Sequence, residues 1–148
     1  MKGCDNNKKN SSYWTNPQFP LIISEYTDFT ENTPVIVALT QHAQEIQKSR
    51  EILNEPMGFR IYRVKDENKK DSNYNRDELV EIASSGKYVE VRQICKKFIL
   101  PIGNYIIIAS LTKKNLTNKF ALRIFQPENL KQESENLIGE LDDLLGLF

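Results

Sequence analysis

The stretch Tyr13-Trp14-Thr15-Asn16-Pro17-Gln18-Phe19 contains the only tryptophan of the chain and leads into an apolar run that continues to Ile23. An asparagine that precedes proline is disfavoured in the helical region of backbone space, so Asn16 and Pro17 predict a corner. The apolar run after this corner has the length of a single strand. The stretch therefore predicts an aromatic anchor at the point where a β-strand begins.

Short apolar or alternating segments, separated by turn residues, follow this corner along the chain. The runs 34–41 and 104–110 are continuously apolar and rich in β-branched residues, which predicts strands buried on both faces. Many short strands with such punctuation predict an all-β fold, an antiparallel β-sandwich of about eight strands. The predicted strands are residues 18–24, 34–41, 57–64, 78–83, 88–99, 104–110 and 119–125.

Alternation assigns faces to some of these strands, because successive side chains of a strand point to opposite sides. In segment 57–64, Phe59 and Ile61 share one face, while Arg60 and Tyr62 share the other. In segment 88–99 we expect the odd-numbered face to be buried, with a free thiol in the core. The apolar residues at its odd-numbered positions are Val89, Val91, Cys95 and Ile99.

Three segments do not follow the strand pattern. Residues 1–12 are polar and predict a flexible leader, and residues 42–55 are rich in helix formers, which indicates a helical turn or a long exposed loop. Segment 127–148 predicts an acidic amphipathic helix that begins at Pro127, or a linker. The sandwich domain is therefore expected to span residues 13–126.

The length of the chain predicts a single domain, and its net charge does not indicate any particular kind of partner. The chain has 148 residues and a net charge of zero. Residues 75–127 carry nine Lys and Arg against four Asp and Glu, whereas residues 128–148 carry one against six. A basic body before an acidic tail indicates either contact between the two or an anionic partner, but solvated surface is the preferred interpretation of both. Two cysteines indicate free thiols and a cytoplasmic location.

The residue types that catalysis needs are scarce. His42 is the only histidine, Cys4 lies in the polar leader, and the remaining cysteine, Cys95, lies within a predicted strand. The sequence contains no zinc-ligand spacing, no phosphate-binding glycine loop and no dinucleotide-binding motif. We therefore expect no enzymatic activity from this chain alone.

Several blocks, in this order, resemble the third domain of the calpain large subunit. The resemblance covers residues 3 to about 126, and Gly3-Cys4-Asp5-Asn6 is similar to the end of the protease core that precedes this domain in calpains. The other similar blocks are Tyr13–Phe19, Leu39-Thr40-Gln41, Met57–Tyr62, Arg92-Gln93-Ile94, Leu100–Ile108 and Phe120–Phe125.

The resemblance implies a C2-like β-sandwich that belongs to a calpain-like cysteine protease and carries no catalytic residue. It implies a regulatory role in which the domain positions the protease core, in cis or in trans, and responds to calcium or phospholipid. The family has a loop dense in acidic residues after the first strand, and this chain offers Glu25, Asp28 and Glu31 there as calcium candidates. Because Ca²⁺ takes six to eight oxygen ligands, a solvated loop is the alternative interpretation.

Two further hypotheses concern a module that acts by itself at a membrane surface or on a protein. Basic residues near strand ends predict contact with anionic phospholipid, and scattered surface charge is the alternative. The lipid candidates are Lys96, Lys97, Lys113, Lys114 and Lys119. An apolar face of the C-terminal helix predicts packing on the sandwich or in the groove of a partner. The candidates on this face are Leu137, Leu141, Leu144, Leu145 and Phe148.

Overall fold

The computed structural model describes residues 1–2, 11–24, 32–42, 44–46, 51–69, 73–113 and 118–127. These residues form ten strands and two short 3₁₀ helices, Ser12–Thr15 and Arg76–Glu78. The strands are β1 (Phe19–Ile23), β2 (Asn32–Gln41), β3 (Gln44–Ile46), β4 (Glu51–Leu53), β5 (Pro56–Val64), β6 (Leu79–Ser84), β7 (Val89–Glu90), β8 (Gln93–Pro101), β9 (Gly103–Leu111) and β10 (Phe120–Phe125).

Two antiparallel sheets form the body of the protein. The larger sheet has the order β1-β9-β5-β6, and β7 pairs with the first residues of β5. The smaller sheet has the order β10-β2-β8, and β3 pairs with β4 in a separate two-stranded ribbon. Buried residues from both sheets share one apolar core, so the predicted all-β antiparallel sandwich is confirmed. The finer likeness to C2 domains stays a prediction.

The two continuously apolar runs form the centre of the sandwich. β2 is the middle strand of the smaller sheet, and residues 35–39 are all buried. β9 lies between β1 and β5 in the larger sheet, and residues 105–111 are all buried. A strand that is covered on both faces reads as a continuous apolar run, and the prediction for these two segments is therefore confirmed.

The prediction for segment 88–99 is wrong in two respects. The segment is divided, because β7 pairs with β5 in the larger sheet, whereas β8 pairs with β2 in the smaller one. The chain crosses between the sheets at residues 91–92, and this crossing ends the alternation. Within β8 the even-numbered residues face the core, while Ile99 is 63% exposed on the other face. Cys95 lies half-buried on that outer face rather than in the core.

Two other predicted segments also differ from the structure. Within segment 42–55 the described residues form the ribbon of β3 and β4 rather than a helical turn or loop, because strand pairing outweighs a weak helix propensity. Residues 1–2 of the predicted leader belong to the fold, since Met1 is buried against the core. The predicted C-terminal helix falls on residues 128–148, which lie outside the described part of the chain.

The side-chain amide of Gln41 links four segments at one end of the sandwich. Its Nε2 donates to the carbonyl oxygens of Glu55 at 2.9 Å and Val91 at 2.6 Å. Its Oε1 accepts from the Glu55 amide at 3.1 Å and from Asn118 Nδ2 at 2.8 Å. Gln41 is 1% exposed, so these bonds satisfy a polar group that has lost its contact with water.

Replacing this amide with an apolar group should destabilise the fold strongly. We expect Gln41→Leu to lower the free energy of unfolding by about 2–4 kcal/mol, because it leaves buried donors and acceptors without partners. The matched control is Gln93→Leu on the exposed start of β8, which should change stability by about 0.5 kcal/mol or less. Urea unfolding of both variants measures the difference, and equal midpoints would contradict the role given to Gln41.

Candidate functional site

The aromatic stretch that opens the domain lies on the side of the larger sheet that points away from the shared core. Residues Ser12–Thr15 form a 3₁₀ helix, and this helix brings Tyr13 and Trp14 over β5. The hydroxyl of Tyr13 lies 2.7 Å from that of Tyr62 in a buried hydrogen bond. The Trp14 ring is tilted against the Tyr62 ring at 5.5 Å and meets the Tyr13 ring edge-on at 4.9 Å. These contacts form a second apolar cluster on the side of the sheet opposite the shared core.

Neighbouring polar residues fasten the aromatic stretch to the rest of the domain. The side-chain amide of Gln18 pairs with the backbone of Tyr74, donating to its oxygen at 2.9 Å and accepting from its nitrogen at 2.7 Å. The Tyr74 hydroxyl in turn donates to the Lys69 carbonyl at 2.7 Å. The loop before β6 is therefore tied to the residue that leads into β1.

A junction, which we define as Met1, Lys2 and Asn16 with their backbone partners, connects the start of the chain to the sandwich. The Lys2 amide donates to Asn16 Oδ1 at 2.7 Å, and Asn16 Nδ2 donates to the Tyr13 carbonyl at 3.0 Å. The Leu111 amide donates to the Lys2 carbonyl at 3.1 Å, and the Asn118 amide donates to the Met1 carbonyl at 3.0 Å. Residues 1–2 are thus bound both to the corner before β1 and to the far end of β9.

A cleft of about 310 Å³ opens beside the aromatic cluster. Aromatic and apolar side chains form part of its wall, and charges of both signs complete it. The lining residues are Trp14, Tyr62, Lys65, Arg76, Asp77, Leu79 and Glu81. Aromatic and arginine side chains are enriched at protein interfaces, so this cleft suits contact with a polypeptide better than chemistry.

The tyrosine pair is held in its neutral form by its surroundings. Burial raises the pKa of Tyr62 to about 12. Burial also raises the pKa of Tyr13, and the neighbouring Tyr62 raises it further. A phenol that stays protonated can keep its hydrogen bond across the whole physiological pH range. The pair therefore acts as a neutral structural contact rather than as a proton donor or acceptor.

The residues with catalytic potential are not brought together. His42 is exposed at the end of β2, and Cys95 lies on β8 opposite Ala38. His42 lies four residue steps beyond Ala38 along an extended chain, which corresponds to about 13 Å between their Cα atoms. Burial raises the pKa of the Cys95 thiol, and this disfavours the reactive thiolate. Within the described residues no three His, Cys, Asp or Glu side chains are grouped so that they could hold a metal ion.

The structure divides the predicted lipid-binding lysines between two places. Lys96 and Lys97 are exposed neighbours in β8, and their side chains point to opposite faces of the sheet. Lys113 and Lys119 lie near the end of the sandwich that holds Gln41. Lys113 is also paired there with a carboxylate, because its Nζ lies 3.0 Å from Glu55 Oε2. Lys114 falls outside the described residues.

The other candidates also fall outside the described residues, and their roles stay predictions. These are the calcium candidates Glu25, Asp28 and Glu31, and the helix candidates Leu137, Leu141, Leu144, Leu145 and Phe148. No helix in the described ranges has the length and apolar character that crossing a bilayer requires.

Sequence reasoning identified the aromatic stretch but missed its partners. Tyr62 was expected on the face of β5 opposite Phe59, which is correct, yet nothing in the sequence paired it with Tyr13. Nothing in the sequence set the cleft residues Lys65, Arg76 and Glu81 apart from other charged residues. The tyrosine on the face of β5 opposite Phe59 was the one available signal for a second cluster on this side of the sheet.

Comparisons with known proteins agree with the resemblance seen in the sequence. Residues 2–125 match the family model for the calpain large subunit, domain III. The chain is 30% identical to calpain-9 of Rattus norvegicus over 138 residues, which cover 90% of the chain and 20% of the relative. It is 28% identical to the calpain-2 catalytic subunit of Gallus gallus over 137 residues, covering 86% and 19%. The chain thus spans about one-fifth of the length of these curated relatives.

The buried phenols should be visible in an alkaline titration. Unfolded tyrosine ionises near pH 10, whereas Tyr62 in the fold ionises near 12. The stabilisation that these phenols give is therefore complete below about pH 10 and is lost as the pH rises towards about 12. We expect absorbance at 295 nm to show a late-ionising component in the wild type that is smaller by two phenols in Tyr13→Phe/Tyr62→Phe, since burial also raises the pKa of Tyr105. Ionisation of all six tyrosines together near pH 10 would contradict this assignment.

Proposed function

Because the chain belongs to the calpain large-subunit domain III family, we propose that it supports a calpain-type cysteine protease by holding the protease core in place. Domain III is not the catalytic domain of these proteases. Since the chain covers about one-fifth of its relatives, the activity of a whole protease is part of this proposal and not a property of the domain itself.

The observation that carries the proposal is the junction. Residues 3–6 are similar to the end of a protease core, and Met1 and Lys2 immediately before them are hydrogen-bonded to the sandwich. A core that ends in such a segment would be attached by hydrogen bonds as well as by the chain. Fixing a connection in one geometry removes the freedom of a flexible linker, and this freedom would otherwise oppose a defined arrangement of the two domains.

The aromatic cluster supports the same function by making the attachment point rigid. Asn16 receives the Lys2 amide, and the same side chain donates to Tyr13, whose ring packs in the second cluster. Displacement of the junction would therefore disturb a buried tyrosine pair and the tryptophan beside it. The cleft lined by Trp14 and Arg76 lies next to this point and offers further contact area to a neighbouring domain.

The test compares two asparagines that both bind backbone groups. Asn16→Ala removes the bonds of the Asn16 side chain to Lys2 and Tyr13, whereas Asn75→Ala removes a capping interaction at the 3₁₀ helix Arg76–Glu78. Each change should cost the isolated chain about 1–2 kcal/mol of unfolding free energy. In the protease expressed with this domain, Asn16→Ala should lower peptide hydrolysis severalfold, and Asn75→Ala should leave it near the wild-type value. Equal activities of the two variants would refute the role of the junction.

A response to calcium belongs to the proposal through the family resemblance and would depend on Glu25, Asp28 and Glu31. Support comes from the spacing of these carboxylates in the stretch after β1. Isothermal titration of the chain with CaCl₂ should give heat of binding that disappears in Glu25→Gln/Asp28→Asn/Glu31→Gln. Absence of binding heat at millimolar calcium would remove calcium from the proposed function and leave the supporting role intact.

Contact with anionic phospholipid is supported by the exposure of Lys96, Lys97, Lys113 and Lys119. Their division between two places means that one membrane surface cannot engage all four side chains in the same way. We expect sedimentation with phosphatidylserine vesicles to be weakened by Lys96→Glu/Lys97→Glu or by Lys113→Glu/Lys119→Glu, but not equally by both. Lack of sedimentation with wild-type chain at low salt would exclude this part of the proposal.

An intracellular location is consistent with the cysteine chemistry of the chain. Cys95 is a free thiol on the surface of a sheet, and free surface thiols persist in a reducing compartment. The chain would then act inside the cell, together with its protease core and with no catalytic cofactor of its own.

A further inference from the structure

The outer face of the smaller sheet is unusually apolar for a surface. Side chains that are directly opposite one another in an antiparallel sheet share a face, so the register of β10, β2 and β8 defines this surface. Ile99 is 63% exposed on it, and Cys95 and Phe125 are half-buried. We call this surface the outer face, and its apolar members are Pro34, Ile36, Ala38, Cys95, Ile99, Ala121 and Phe125.

The charges on the outer face are of one sign. Lys97 lies opposite Ile36 from one side, and Arg123 lies opposite Ala38 from the other. Both side chains are exposed. Among the paired, described residues of this face there is no aspartate or glutamate. A ligand for the outer face would therefore combine an apolar stripe with negative charge.

The residues that follow β10 have this combination. Segment 128–148 contains six Asp and Glu against one Lys. Its leucines, with Ile138 and Phe148, recur at steps of three and four residues, which is the pattern of an amphipathic helix. On such a helix Glu133 and Glu140 fall at the border of the apolar stripe, since they are seven residues apart and each follows a leucine by three. When the apolar stripe packs on the outer face, these two glutamates would lie near Lys97 and Arg123.

Length and position also fit the outer face. Twenty-one residues form a helix of about 31 Å, and the ten residues of β2 extend over about 33 Å. β10 ends at Phe125, which is itself part of the outer face, and Pro127 is buried. The segment therefore starts beside the surface that it matches in charge, polarity and length.

We propose that residues 128–148 form an acidic amphipathic helix that packs on the outer face of the β10-β2-β8 sheet of the same chain. The apolar stripe covers Ile99, Cys95 and Phe125, and the bordering glutamates approach Lys97 and Arg123. This contact is a built-in cover for the smaller sheet, and it is separate from the attachment of the protease core at the larger one.

Cys95 provides a natural reporter for this contact. In a Cys4→Ser background it is the only thiol, and its reaction with the uncharged reagent N-ethylmaleimide measures how often the outer face is uncovered. We expect the reaction to be at least tenfold faster in a chain that ends at residue 127 than in the full chain. Equal rates in the two chains would overturn the proposal. Near-UV circular dichroism of Trp14 on the opposite sheet verifies that the shortened chain is folded.

Charge reversal tests the contact in the full chain, so the result does not depend on the shortened variant. Lys97→Glu/Arg123→Glu should accelerate the reaction of Cys95, whereas the control Lys65→Glu/Lys87→Glu, on the other sheet and its connections, should not. Adding Glu133→Lys/Glu140→Lys to Lys97→Glu/Arg123→Glu should restore slow labelling. Equal acceleration by both pairs, or no restoration, would contradict the pairing of charges.

The intramolecular nature of the contact has its own readout. Protection of Cys95 should be the same at 1 µM and 100 µM protein, concentrations that are both to be checked by sedimentation velocity. Protection that grows with concentration would assign the cover to a second copy of the chain and overturn the proposal as stated.

Discussion

The buried amide of Gln41 is the constraint on which the two-sheet arrangement depends. It ends β2 in the smaller sheet and binds both backbone groups of Glu55, one residue before β5 begins in the larger sheet. It also binds Val91, where the chain crosses from β7 to β8, and Asn118, just before β10. These partners are 14, 50 and 77 residues from Gln41 in the sequence. The amide therefore fixes the relative positions of the segments that meet at this end of the sandwich. A satisfied buried polar group specifies such a geometry because any displaced arrangement leaves donors and acceptors unpaired.

The second cluster explains how a sandwich can carry a rigid attachment point on its outside. β5 and β9 contribute Phe59 and Ile107 to the shared core, while Tyr62 and Ile106 face the other way. That outer side is covered by residues that precede β1 and by the loop before β6, which the Gln18 amide joins. The corner at Asn16 is therefore packed between a buried sheet and the start of the chain. Rigidity at this corner comes from burial together with the backbone restriction that Pro17 places on Asn16.

Sequence patterns predicted the centre of the fold better than its margins. The continuously apolar runs 34–41 and 104–110 indicate their burial directly, because a strand buried on both faces needs apolar residues on both. β8 was assigned the wrong face, since alternation cannot reveal where a chain crosses between sheets or that Ile99 projects outward. For the site, residues 13–19 predicted an aromatic anchor at the start of a strand. The bonds of Tyr13 to Tyr62 and of Gln18 to Tyr74 join positions 49 and 56 residues apart, and such pairing depends on topology.

The two sheets solve the same problem in different ways. A central strand that is apolar on both faces requires cover on its outside as well as in the core, and both β2 and β9 are of this kind. On the larger sheet that cover is built from aromatic side chains of the same domain. On the smaller sheet Ile36 and Ala38 are buried while their neighbours Lys97 and Arg123 stay exposed. Side chains of this kind can cover apolar residues with their aliphatic stems while their charges reach water. Two charged side chains cover less of the sheet than the packed aromatic rings of the larger sheet do, and Ile99 stays exposed to solvent. The smaller sheet is therefore the side on which an additional amphipathic element gains most by binding, because apolar area and charge are both still available there.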